Sequence, residues 1–163
     1  MNANTANAPA APTPRAYARL RHIGQVLLGL LLVECVIGIG LAMFVNLPSS
    51  PSFLTVFASI PLLTAHIVLA FLLFLLALYA TVLTYRLRVP GVAWIEALVT
   101  LFLLFAIQEG FAFTFQQNNA YVGGMVVGFL GAFVVQVVAL LRLRRGARTA
   151  VANPPAAPSP GAH

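Results

Sequence analysis

Three ionisable residues stand inside long apolar stretches of this chain: Glu34, His66 and Glu109. A charge near the centre of a hydrocarbon layer costs about 2.5–3.5 kcal/mol on insertion scales, so each is a first suspect for function. His66 follows Pro61-Leu62-Leu63-Thr64-Ala65, in the first turns of an apolar helix, where an imidazole is a candidate metal ligand and specifically an axial ligand for haem iron. Glu109, with Gln108, Gln116 and Gln117 nearby, offers polar lining for a haem or quinone head group. Glu34, alone in its stretch, is a candidate proton-coupling carboxylate. At about 1.5 Å per residue, His66 and Glu109 lie roughly 8 and 9 Å from the ends of their stretches and Glu34 roughly 17 Å. His66 and Glu109 are therefore expected to share a level, with Glu109 as the histidine's polar partner. Glu96, close to the other end of its stretch, is expected to face Arg86 and Arg88 as a solvated or ion-paired group.

Other chemistry is excluded by what the chain lacks. Cys35 is the single cysteine, so neither an intramolecular disulfide nor a thiolate metal site can be built. There is no Asp, no Lys, no glycine-rich phosphate loop and no nucleophile–base pair. No catalytic residue is assigned, and the residues point away from an enzyme.

The elements that must position these side chains follow from composition. Of 163 residues, 61% are hydrophobic and only 7% charged, with a mean hydropathy of +0.96. Soluble domains average about 25% charged residues, so the chain belongs to the membrane class. Four apolar stretches, about 23–45, 61–84, 92–115 and 120–141, approach the ~20 residues that cross a bilayer core. Lipid cannot satisfy free backbone groups, so an all-α four-helix bundle is expected within residues 15–148, flanked by disordered tails at 1–14 and 149–163 that are rich in Ala, Pro and Asn. The first stretch is too long for a signal h-region and lacks a convincing cleavage site, so it is expected to be retained.

The net charge of +6 is a matter of position. Arg15, Arg19 and Arg21 precede the first stretch, Arg86 and Arg88 lie between the second and third, and Arg142, Arg144, Arg145 and Arg148 follow the fourth. The remaining connections contain no basic residue. The positive-inside rule then predicts a multi-pass protein of the inner (plasma) membrane with both termini cytoplasmic, and the basic excess needs no nucleic-acid partner. In the connection 46–60, the apolar residues Phe53–Ala58 predict a short interfacial segment, with Ser59 and Pro61 as cap and first-turn proline of the second helix. Leu30–Arg88 and Thr100–Arg145 also share a weak order of acid, glycine, polar turn, apolar span and Arg-Leu-Arg, as a parallel repeat of helix pairs would.

Gly38, Gly40, Gly110, Gly123, Gly124, Gly128 and Gly131 give thin helix surfaces that admit either a neighbouring helix or a flat macrocycle. Gly124-x-x-x-Gly128 is a small-xxx-small ridge, suited to close helix packing, to a cofactor slot, or to a homodimer or other membrane subunits. Taken with Gln25-Val26-Leu27-Leu28-Gly29 and Gly38-Ile39-Gly40, the segment Ala65-His66-Ile67-Val68-Leu69-Ala70-Phe71-Leu72-Leu73-Phe74 resembles a helix pair of the haem A synthase family. That resemblance covers about half of the chain. It implies a four-helix half with His66 in the axial-ligand position and haem b as cofactor; the second ligand's place reads Tyr121-Val122-Gly123-Gly124, and the family's Glu-x-x-His pairing is absent. The expectation is a haem- or quinone-associated respiratory accessory or assembly module in the lipid bilayer, with Glu34 and Glu109 in a structural or proton-coupled transport protein as the alternative.

Overall fold

A computed structural model describes residues 12–44, 60–89, 91–116 and 118–152. Among them are four helices and no strand: α1 (Pro14–Phe44), α2 (Pro61–Arg86), α3 (Ala93–Gln116) and α4 (Asn119–Ala152). All four are long and apolar enough to cross a membrane. Each packs on two neighbours, α1 on α2 and α4, α3 on α2 and α4, and the backbones of the diagonal pairs stay apart. Cross-helix contacts run in opposite residue order, as in Arg19 with Tyr79 and Glu34 with His66, so neighbours are antiparallel and the bundle is a four-membered up-and-down ring.

The inward face of each helix follows a three- and four-residue step. On α1 it is Leu20, Gly24, Leu27, Leu31 and Glu34; on α2 Ala70, Leu73, Ala77, Ala80 and Thr84; on α3 Glu96, Val99, Leu103 and Ala106; on α4 Gly128, Ala132, Gln136, Ala139 and Leu143. Small residues recur on this seam, where they let the helix backbones approach closely. Gly128 shows how close: a Cβ there would meet the backbone of Ala106 at 3.0 Å.

Two cores stack along the bundle. Leu27, Leu31, Leu73, Ala77, Val99, Leu103 and Ala132 fill the middle. Tyr17, Leu20, Val89, Val92 and Leu143 form a second cluster at the end where the arginines gather, joined there by Ala147 and Ala150. The helices extend beyond the expected spans at this end, α1 starting at Pro14 and α4 running to Ala152. The expected tail from residue 149 is thus helical through 152, held by packing of Ala150 and by the Thr149 hydroxyl donating to the Gly146 carbonyl. Residues 1–11 and 153–163 of the tails and the segment 45–59, including Ser59 and Phe53–Ala58, lie outside the described residues. Pro61 does occupy the first turn of α2, after an N-cap position held by Ile60 without a side-chain cap. Between α2 and α3, Arg88 at φ 51° and Gly91 at φ 68° turn the chain in the left-handed region.

Candidate functional site

Glu34 and His66 meet. The histidine Nδ1 lies 2.9 Å from Glu34 Oε1 across the α1–α2 contact. Glu34 is fully buried, whereas the imidazole retains some exposure. The approach is that of an ion pair by distance, without the alignment of a hydrogen bond, and the second carboxylate oxygen, Oε2, is buried with no protein partner. A buried acceptor in that condition is costly, on the order of 1–3 kcal/mol, unless a proton, a water or a ligand donor reaches it.

The pair stands on the wall of a cavity of about 1090 Å³ that takes lining from all four helices. Leu31, Leu32 and Ile39 come from α1, Ile67 and Phe71 from α2, Phe111 and Phe113 from α3, and Met125, Phe129 and Phe133 from α4. The Phe71 and Phe111 rings meet edge to face, with centroids 6.1 Å apart. Ligand cavities generally measure about 300–1,000 Å³ and pair apolar walls with a few polar groups, and this one is of that type. Gly38 sits beside the imidazole: a Cβ there would stand 3.4 Å from His66 Cε1, so glycine keeps that edge of the ring uncrowded.

The expected partnership of His66 with Glu109 is not the one observed; the carboxylate at the histidine is Glu34. Depths counted from helix ends fail because the ends are staggered. Phe44 lies ten residues beyond Glu34 while Pro61 lies five before His66, a difference of about 8 Å along the axis. The Glu109 side chain lies instead against Gly124 of α4 and does not line the cavity. Gly128 packs on Ala106 and Gly131 on the Phe102 ring. The Gly124–Gly128 ridge therefore packs at the α3–α4 contact inside one chain rather than lining the cavity beside His66. Gly38, Gly110 and Gly123 do line the cavity.

Glu96 is also placed differently from the expectation. It is buried, with Oε2 unpartnered, and turns toward Gln136 of α4 rather than toward the arginine turn. Gln136 is equally buried, and Gly24 of α1 makes room for its amide, since a Cβ there would stand 2.9 Å from Nε2. Nearby on α2 and α3, the hydroxyls of Thr81 and Thr100 share a 3.0 Å hydrogen bond, and Thr100 also bonds the Glu96 carbonyl. Sequence reasoning passed over Gln136, although its position on the α4 seam with Gly128, Ala132, Ala139 and Leu143 marks it as inward.

Among the described residues no group of three or more His, Cys, Asp or Glu side chains gathers as a metal site. Among the described residues His66 alone offers an imidazole to the cavity. Comparison with protein families, with curated proteins and with solved structures finds no match to this chain.

Proposed function

We propose that this chain is a small multi-pass membrane protein that holds a large apolar ligand of the haem or quinone class in its four-helix cavity, with His66 as the polar anchor. In this reading it serves a respiratory membrane as an accessory or assembly module. The observation that carries it is the buried Glu34 carboxylate set against His66 at the wall of a cavity large enough for such a ligand. A carboxylate on one ring nitrogen orients the imidazole and leaves Nε2 for the ligand, the arrangement by which outer groups tune histidine sites. The arginine-rich end faces the cytoplasm of a plasma membrane and the cavity the opposite side, following the distribution of basic residues.

The test is to purify the full chain in mild detergent, record its absorption spectrum, and analyse an organic extract for quinone. A bound chromophore or quinone, or saturable uptake of either when added, supports the reading, and His66→Ala is expected to abolish it. A chain that neither retains nor takes up either class overturns it.

A second reading rests on the same buried pair. Two titratable groups in contact beside a cavity suit proton-coupled transport, with Glu34 as the coupling residue. Glu34→Gln in proteoliposomes is then expected to abolish proton-linked flux, and unchanged flux removes that reading.

A further inference from the structure

We infer that the ligand of the His66 cavity is electrically neutral and presents a carbonyl oxygen to the imidazole, a quinone ring rather than a haem. This deepens the proposed function and rests on it. The first observation is where positive charge stands. All nine basic residues are arginines, and they flank the helices at one end of the bundle, at residues 15–21, 86–88 and 142–148. None lines the cavity. Haem carries two propionate carboxylates, and in an apolar site these would find no cation; a neutral ring needs none.

The second observation is the geometry of the dyad: Glu34 Oε1 stands 2.9 Å from Nδ1, so Nε2 is the ring nitrogen left to meet a ligand, and with a hydrogen on it that nitrogen donates to a carbonyl oxygen. The unpartnered Oε2 of Glu34 adds an acceptor that a ring hydroxyl of the reduced form would satisfy. The third observation is shape: apolar side chains such as Ile39, Ile67, Phe71, Phe111 and Phe129 provide walls for an aromatic head and a prenyl tail.

The experiment titrates the full chain, purified in detergent and depleted of endogenous lipid, with two probes. One is hemin, followed at its Soret band; the other is radiolabelled short-chain benzoquinone or naphthoquinone, followed by equilibrium dialysis. Saturable quinone binding without a saturable Soret shift is expected. Affinity should fall about tenfold or more in His66→Ala and Glu34→Gln, the scale of one lost buried hydrogen bond, and stay unchanged in Glu96→Gln. Should a dyad variant lose helicity by circular dichroism, Gly38→Leu, which fills the cavity beside the ring, provides the second test and must also weaken quinone binding. A Soret shift that saturates and disappears in His66→Ala overturns the neutral-ligand inference while leaving the cavity reading intact. Binding of neither probe overturns both, and quinone binding indifferent to all three cavity variants overturns the inference.

Discussion

The two ends of the bundle treat a buried carboxylate in opposite ways. At the arginine-free end Glu34 meets a titratable ring on the wall of a cavity of about 1090 Å³. At the arginine-rich end Glu96 meets the amide of Gln136 where Gly24 and Leu140 crowd the same space. Both sites leave polar atoms without protein partners, and the first stands on the wall of the cavity. Burial of an acid in a membrane bundle is thus not itself a functional mark; burial beside empty space and a second proton-bearing group is. Between the two lies the apolar layer of Leu27, Leu31, Leu73 and Leu103, which separates the cavity from the inner polar pair.

That contrast can be broken most forcefully in the apolar layer. Leu73→Ala is expected to destabilise the bundle by about 2–5 kcal/mol, since a fully buried leucine leaves a void that rigid neighbours cannot close. Leu63→Ala, on the cavity wall, should cost less than about 1 kcal/mol, because its surroundings are already open. Reversible unfolding in mixed detergent measures both, and equal losses would erase the distinction between solid and hollow halves.

The inner pair gives the next largest effect. Gln136→Leu removes the partner of Glu96 and should cost about 1–3 kcal/mol, whereas adding Glu96→Met should return most of it, as apolar replacement of both members of a buried polar pair commonly does. In the outer pair, the corresponding changes at Glu34 and His66 are expected to act on ligand affinity more than on unfolding. A comparable loss, about 1–3 kcal/mol, is expected for Gly128→Ala, where the new Cβ meets Ala106 backbone, and none for Gly123→Ala, which meets nothing within 4 Å. The smallest effect is Thr81→Val: loss of the Thr81–Thr100 hydrogen bond should cost about 0.6 kcal/mol, the average found for such bonds between membrane helices.

The helix count and the gathering of arginines at one end were legible in the sequence because length, hydropathy and basic residues carry that information directly. Which face of each helix turns inward was harder to read. Leu, Val and Phe occupy the outer surface and the core alike, as the exposed Leu75, Leu101 and Val134 show, so the usual apolar stripe vanishes. The seam is written instead in small and polar residues. Glu34 lies three and seven residues from Leu31 and Leu27, and Gln136 lies three and four from Ala139 and Ala132, whereas Glu109 falls between the inward positions Ala106 and Gly110. Reading that register would have separated Glu109 from Glu34 and added Gln136. The Glu34–His66 partnership depended further on the stagger of helix ends, which no local pattern encodes, and the cavity depended on all four helices at once.

The overhang of α1 and α4 bears on how deep the molecule sits. A 34-residue helix is about 51 Å long, well beyond a hydrocarbon core of about 30 Å, and its surplus lies at the end where Tyr17 packs against Gly146. Seven of the nine arginines ride on this projecting pair, at 15, 19, 21, 142, 144, 145 and 148. With the arginine-rich end at the cytoplasmic leaflet, as proposed, each basic side chain near anionic lipid would gain about 1 kcal/mol, so the projection would act as a ballast whose pull depends on the phospholipid mixture. Because Glu34 shares the continuous α1 with three of those arginines, a richer anionic leaflet would in that orientation draw the whole rod toward it, and lipid composition would set the height of the cavity within the bilayer.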